Sequence, residues 1–264
     1  IAATPGALAV DPRPLTLDLP GGAKTYGDAA DADALGAVIA TGLVNGDTVT
    51  AAPLASAGEP ATAEVAGAPY PVVLDGGVAA VAIDGPSGPG GEANYAIAAT
   101  PGALAVDPRP LTLEVAPATK TYGEAFDLTA AAVTADDLVN GDTIADASVD
   151  NDGAAAAAPV AGSPFDFELV ALTIDGPTGP GGEANYDVSV SGVLTVEPRP
   201  ATVEVADQAK RFGEEFVFDG TEFAVRGLAP GDSVDSAALT SDGAPADAPP
   251  AAAPSDIAAA GLSG

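Results

Sequence analysis

Seventeen residues, IAATPGALAVDPRPLTL, stand at positions 1–17 and return letter for letter at 97–113. A chain that spells one passage twice is built from copies of one supersecondary unit, strung or stacked rather than merged into an irregular globule. The other landmarks fall into line with this step. Tyr26-Gly27, Tyr122-Gly123 and Phe212-Gly213 align, as do Leu43–Thr48, Leu138–Thr143 and Leu228–Ser233, each with a Gly-Asp pair inside it. GPSGPGGEANY at 85–95 returns as GPTGPGGEANY at 176–186, and Asp11-Pro12-Arg13-Pro14 returns at 107–110 and, with Glu197 in first place, at 197–200. The step is 96 residues from Asp11 to Asp107 and 90 from Asp107 to Glu197, with most of the difference arising between residues 48 and 85. Four segments result: 1–10, the closing strand of a preceding, truncated module; 11–106 and 107–196, two full β-modules; and 197–264, a partial third.

Within each copy the hydrophobic period is two. Leu15, Leu17 and Leu19 alternate with Thr16 and Asp18, Leu111, Leu113 and Val115 repeat the pattern, and Val203 and Val205 follow it. Such alternation marks half-buried strands. Phe165, Phe167 and Leu169 run in one phase and Val170, Leu172 and Ile174 in the other, which predicts a bulge or break between them. Asn-Gly, Asp-Gly and Gly-Pro clusters punctuate the runs, and 32 Gly and 25 Pro oppose long helices. The expected class is all-β: tandem Ig-like β-sandwich modules in an elongated array. The alternative is a β-grasp-like module in which one Ala-rich stretch, Ala29–Ala40 or Ala130–Asp137, forms a helix across a single sheet.

Composition narrows the chemistry. Thirty-eight acidic residues against 8 basic ones give a formal charge of −30, a field that repels nucleic acid and anionic membrane and attracts cations. The chain has no Cys, His, Trp or Met. Thiol catalysis, disulfides and iron–sulfur ligation are excluded, and the commonest zinc ligand and neutral-pH proton carrier is missing. No apolar run approaches the roughly 20 residues a membrane helix needs.

Several recurring positions invite a role. In Pro12-Arg13-Pro14, Pro108-Arg109-Pro110 and Pro198-Arg199-Pro200, two prolines fix φ and remove backbone donors, so the segment is expected to stay extended outside any central ladder. The expectation is a stiff interdomain joint, with each Arg bridging carboxylates of adjoining modules. Lys24, Lys120 and Lys210 share a register, and covalent isopeptide bonds from Lys24 to Asn94 and Lys120 to Asn185 are one reading of them. Calcium is the candidate cofactor: Asp150-Asn151-Asp152-Gly153 has the opening of a calcium loop, and Asp142 sits in a recurring turn. An EF-hand would need Glu where Ala161 stands, and the competing reading is that these Asp and Asn residues cap local turns. The glycine-rich loops 88–92 and 179–183 end in Glu, which opposes a phosphate cradle.

The ordered set of a Pro-x-Pro entry strand, Lys-Thr-Tyr-Gly (Lys24–Gly27, Lys120–Gly123), Leu-Val-Asn-Gly-Asp-Thr, a glycine-rich loop ending Asn-Tyr (Asn94-Tyr95, Asn185-Tyr186) and a closing Leu-x-Val strand resembles the MBG-type repeats, related to YDG repeats, of very large secreted bacterial adhesins, including filamentous-haemagglutinin-like proteins. The third copy departs from it, with Phe212 for Tyr and Ala229-Pro230 for Val-Asn. The resemblance implies a non-enzymatic spacer or stalk at the bacterial cell surface, partnered by neighbouring repeats or identical chains. Two other functions compete: a fibre subunit completed by strand addition between chains, and a module binding glycan or a host surface. The near-verbatim return of the glycine-rich loop, with Ser87 changed to Thr178, favours the spacer.

Overall fold

The computed structural model describes residues 4–86, 88–176, 179–180, 182–250 and 254–264. It is nearly all β, as the alternation predicts. The only helices among the described residues are 3-10 turns of three or four residues. Ala29–Ala40 holds one of these, Ala32–Ala34, while Ala130–Asp137 holds the short strand Val133–Thr134 and only touches the turn Leu128–Ala130; each turn is opened by an Asp whose side chain accepts a backbone N–H, Asp31 from Asp33 and Asp127 from Thr129. One turn is too short to propagate, so neither stretch supplies the helix that the β-grasp alternative needs.

The chain divides into two compact units. One comprises residues 1–113, 134–147 and 171–189, the other 114–133, 148–170 and 190–264.

In the first unit, the opening strand Arg13–Asp18 lies between Ile39–Thr41, antiparallel to it, and Tyr95–Thr100, parallel to it. A second sheet runs Gly22–Thr25, Gly102–Asp107, Tyr70–Leu74, Leu54–Ser56, and a third Thr48–Ala51, Ala82–Gly85, Gly88–Pro89. All three sheets feed one apolar cluster containing Leu15, Leu17, Leu54, Val72, Ile83, Tyr95 and Leu104. Each such aliphatic side chain contributes roughly 1.5–3 kcal/mol by leaving water. The proline motif is thus not kept out of a central strand, contrary to the sequence expectation: Arg13 and Pro14 open the middle one. Pro14 is paired with Ala96 in the parallel ladder, and on its other side the antiparallel ladder starts only at Thr16↔Thr41, so no donor is required of Pro14 toward Ile39–Thr41.

In the second unit, the closing strand Val193–Glu197 lies between Ala118–Thr121 and Phe165–Asp166. Its register repeats that of the first copy: Leu194↔Ala118 and Leu194↔Phe165 here, Leu104↔Gly22 and Leu104↔Tyr70 there. Leu194 joins a cluster with Val115, Val149 and Phe167, against which Phe126, Leu128 and Ala154 pack. The expected break between Leu169 and Val170 does not occur: one strand runs Glu168–Gly176 through both, and the interruption falls earlier, at Phe167. In the third copy Thr202–Val205 pairs with Phe223–Arg226, and Ser236–Thr240 with Ala258–Ser263.

One passage meets two fates. Leu104 and Val106 are 0% and 3% exposed in the closing strand, whereas Leu8 and Val10, in the same sequence context, are 92% and 88% exposed. Residues 4–10 form no strand, unlike the expectation for 1–10; residues 1–3 lie outside the described residues.

Candidate functional site: the joint between copies

The turn Val44-Asn45-Gly46-Asp47 recurs as Val139–Asp142. In both, Asn and Gly have positive φ (59° and 81°; 57° and 83°), and the Asp N–H donates to the Val carbonyl at 2.9 Å. This is the mirror-image turn that Asn-Gly favours. The third copy has Ala229-Pro230-Gly231-Asp232, with the same closing bond at 3.1 Å and positive φ only at Gly231. Proline cannot take positive φ, so the turn changes type while still presenting its Asp.

That Asp is the centre of the joint. Tyr186 donates its hydroxyl to Asp142 Oδ2 at 2.7 Å, and the Val139 N–H donates to the Tyr186 oxygen at 3.1 Å. These bonds lie within the second copy and match Tyr95 to Asp47 (2.7 Å) and Val44 to Tyr95 (3.1 Å) in the first. What is added at Asp142 comes from the preceding copy. Tyr26 donates to the same Oδ2 at 3.1 Å and meets the Tyr186 ring edge-on, with ring centres 5.6 Å apart. An aromatic pair of this geometry contributes about 0.5–1.5 kcal/mol beyond its buried area. Asp142 and Tyr26 are buried, at 5% and 1% exposure.

Four more contacts tie the two copies together. Asn140 Nδ2 donates to the Ala61 carbonyl (3.0 Å), the Val65 N–H donates to Asn185 Oδ1 (2.9 Å), and Arg109 Nη1 donates to the Tyr26 carbonyl (3.0 Å) and pairs with Asp28 (3.3 Å). Asn185 is buried where its counterpart Asn94, with no preceding copy against it, is exposed. The glycine-rich loop thus leads into a tyrosine and an asparagine that face the preceding copy. Gly27, at φ 89°, explains the Tyr-Gly pair: a Cβ there would stand 2.6 Å from Val139 Cγ2. Pro108 alone separates the closing strand, ending at Asp107, from the next opening strand, beginning at Arg109.

The second unit repeats the set. Tyr122 donates to Asp232 Oδ1 at 3.2 Å, Arg199 Nη1 donates to the Tyr122 carbonyl at 3.4 Å and stands 3.9 Å from Glu124, and a Cβ on Gly123 would stand 2.6 Å from Ala229 Cβ. Asn140 has Pro230 as its counterpart, so that side-chain bond is not repeated.

Of the predicted joint residues, the arginines engage one carboxylate of the preceding copy each, not carboxylates on both sides, and they hold the tyrosine carbonyl as well. Arg13 donates to Gly42 O of its own copy (3.0 Å). Pro12, Pro14, Pro108, Pro110, Pro198 and Pro200 are all exposed. The Arg109–Asp28 pair is partly exposed and contributes at most about 1 kcal/mol. The sequence reading missed Tyr26, Asp142 and Tyr186 as a group; their alignment across copies was the available signal.

The calcium set resolves differently. Asp142 is held by two phenols, and its Oδ1 makes no hydrogen bond among the described residues. Asp150 accepts the Asn151 N–H at 2.8 Å, while buried Asn151 donates to the Phe165 and Asp166 carbonyls (3.0 and 2.9 Å) and accepts from Gly153 (2.9 Å). Asp152 lies on the same turn. Among the described residues no cluster of three acidic side chains stands ready for a metal ion.

The three lysines clamp a loop. Lys24 donates to the Asp28 carbonyl at 2.9 Å and to Pro60, Lys120 to Glu124 at 3.0 Å and to Ala155, and Lys210 to Glu214 at 2.9 Å and to Pro245. Their ammonium groups are committed to carbonyls, and Asn185 to Val65, which removes the setting for the isopeptide reading. Burial pushes the Lys24 and Lys120 ammonium groups below the ordinary lysine value, against the opposing pull of Asp28 and Glu124. Lys120→Met should cost about 1–3 kcal/mol in urea denaturation by orphaning two carbonyls, and Lys210→Met, at the more exposed counterpart, less.

The tyrosines give the joint a pH limit. Burial pushes the Tyr26 and Tyr186 phenols above their ordinary value, and the Asp142 carboxylate adds to the rise. A folded-state pKa above the unfolded value of about 10 gives stability that is full below pH ~10 and is lost as pH rises through the folded values. Melting temperature should fall across that range, and fall less in a Tyr26→Phe/Tyr186→Phe chain.

Compared with protein-family models, curated proteins and solved structures, the chain matches none. No helix among the described residues is long and apolar enough to cross a membrane.

Proposed function

We propose that this chain is a structural spacer, a stalk segment of an extracellular bacterial repeat adhesin or surface filament, in which Ig-like β-sandwich copies are strung into an elongated array. One observation carries the reading: the Tyr-Gly of one copy, the Gly-Asp turn of the next and the Arg between them recur as a set at Tyr26/Asp142/Arg109 and at Tyr122/Asp232/Arg199. Residues otherwise free to drift are held at both junctions for contact between copies. A single-proline link and a glycine with no room for a Cβ leave such a junction little freedom to bend. The ordered resemblance to MBG/YDG-type repeats points the same way, and a charge of −30 keeps neighbouring filaments apart.

The test is to insert further copies of residues 11–106 in tandem and measure maximum particle dimension by small-angle scattering. A spacer gains the same increment with each copy, and Gly27→Val at the new junctions blurs that increment. Particle dimension that stays flat as copies are added would overturn the reading.

A further inference from the structure

The chemistry of this chain directs oxidation to tyrosine. It has no Cys, Met, Trp or His, and five tyrosines remain. A one-electron oxidant therefore finds no side chain easier to oxidise than a phenol. Four of the five donate their hydroxyl to a carboxylate: Tyr26 and Tyr186 to Asp142, Tyr95 to Asp47 and Tyr122 to Asp232. The fifth, Tyr70, donates to the Glu64 carbonyl at 2.9 Å. Among the described residues, Tyr26 and Tyr186 alone bring two phenol rings together.

The geometry of this pair suits coupling. Both hydroxyls converge on Asp142 Oδ2, at 3.1 and 2.7 Å, and the rings meet edge-on with centres 5.6 Å apart and planes at 77°. The unpaired electron of a phenoxyl radical rests on the oxygen and on the Cε carbons beside it. Two hydroxyls aimed at one oxygen bring those carbons to the shared end of the rings. A phenol that loses an electron sheds its proton, and a carboxylate at hydrogen-bond distance is placed to take it. Asp142 Oδ1 makes no hydrogen bond among the described residues, so the carboxylate keeps lone pairs for that proton. Both rings are buried, which shields a radical from solutes while an electron can still leave without contact. We propose that Tyr26 and Tyr186 form an oxidative cross-linking site, at which a one-electron oxidant joins the rings into dityrosine and staples the first copy to the second.

The step balances. Each phenol gives one electron to the oxidant and its hydroxyl proton to Asp142, which passes it to solvent. The two radicals form one Cε–Cε bond. Each coupled carbon then loses its hydrogen as a proton while its oxygen regains one, and both rings return to phenols. In sum, two C–H bonds break, one C–C bond forms, and two electrons and two protons leave the chain. The new bond closes a long loop and constrains the unfolded chain in the manner of a disulfide. A charge of −30 draws a cationic oxidant to the surface. The staple rests on the contact between Tyr26 and Tyr186 and not on the spacer reading, so scattering and mass test the two separately.

The experiment treats the 264-residue chain, in dilute solution, with tris(bipyridyl)ruthenium(III), a cationic one-electron oxidant. The expected product is a monomer lighter by two hydrogens, with dityrosine fluorescence and a higher urea midpoint than the untreated chain. Cleavage after Lys24, Glu64, Glu183 and Glu204 puts Tyr26 and Tyr186 on separate peptides, residues 25–64 and 184–204, neither of which carries another tyrosine. These two peptides should emerge joined. Proximity should make the joined pair at least roughly tenfold more abundant from the folded chain than from the same chain oxidised in urea. Tyr26→Phe should abolish it and Tyr70→Phe should leave it in place. No dityrosine in the folded chain, equal amounts of cross-link between other tyrosines, or an equal yield in urea overturns the proposal.

Discussion

Gly27→Val should uncouple the first copy from the second. Two costs act at this position. A non-glycine residue at φ 89° costs on the order of 1–3 kcal/mol of backbone strain, and the new Cβ arrives 2.6 Å from Val139 Cγ2, on the turn that carries Asp142. The Arg109 guanidinium, 3.3 Å from the same point, has to move as well. Gly213→Val separates the two costs, since Gly213 has φ 91° and its Cβ would meet nothing within 4 Å. It should show the strain alone. The excess loss in Gly27→Val by urea denaturation, about 2 kcal/mol or more if the turn cannot give way, is the packing part of the joint. Equal losses for the two variants would mean that the Tyr-Gly pair serves its own copy and not its neighbour.

Tyr186→Phe should be the most damaging removal of a single oxygen, at about 3 kcal/mol. The phenol gives Asp142 its shortest bond (2.7 Å) and accepts the Val139 N–H (3.1 Å), so its loss leaves a buried carboxylate and a backbone donor short of partners. Tyr95→Phe deletes the matching bonds in the first copy, where Asp47 is only half-buried. Water can replace the lost partner there, and the cost should be nearer 1 kcal/mol. Thermal melts of the two variants side by side decide the matter: a Tyr95→Phe cost equal to that of Tyr186→Phe would remove any special standing of the joint.

Much of the architecture was legible because strand alternation and repetition are properties of sequence order. Leu15, Leu17, Leu111 and Leu113 are buried as their spacing requires, whereas the strand Glu168–Gly176 runs unbroken through Leu169 and Val170, where the apolar phase changes. The joint was only half legible. Alignment of the copies placed Tyr26 above Tyr122 and Asp142 above Asp47, yet the contact that matters joins Tyr26 to Asp142, two different positions of successive copies, 116 residues apart. Repetition reports which residues are equivalent, and not which are neighbours. The acidic turn was read by charge, as a cation ligand, although its Asp accepts from uncharged phenols. The shared register of the lysines suggests covalent partners in sequence, whereas their actual partners are main-chain carbonyls, which leave no trace in side-chain identity. Pro14 and Pro110 lie inside strands despite the rule against proline in central ladders, because a proline is barred only where its missing N–H is needed: Pro14 pairs with Ala96 on one side, and the ladder on its other side begins only at Thr16.

The copies also differ in length, and the place of the difference is instructive. Leu74 to Ile83 spans ten residues, while the matching Leu169 to Ile174 spans six, and the surplus holds the turn Gly77–Ala80, away from the junction residues in sequence. By contrast, one proline bridges Asp107 and Arg109. Adding or deleting a single residue there would shift the alternation of the following strand and turn Leu111 and Leu113 to the wrong face. Lineages of such a chain can therefore gain or lose whole units, or swell at the Gly77–Ala80 bend, but the seam between units has no tolerance for drift in length.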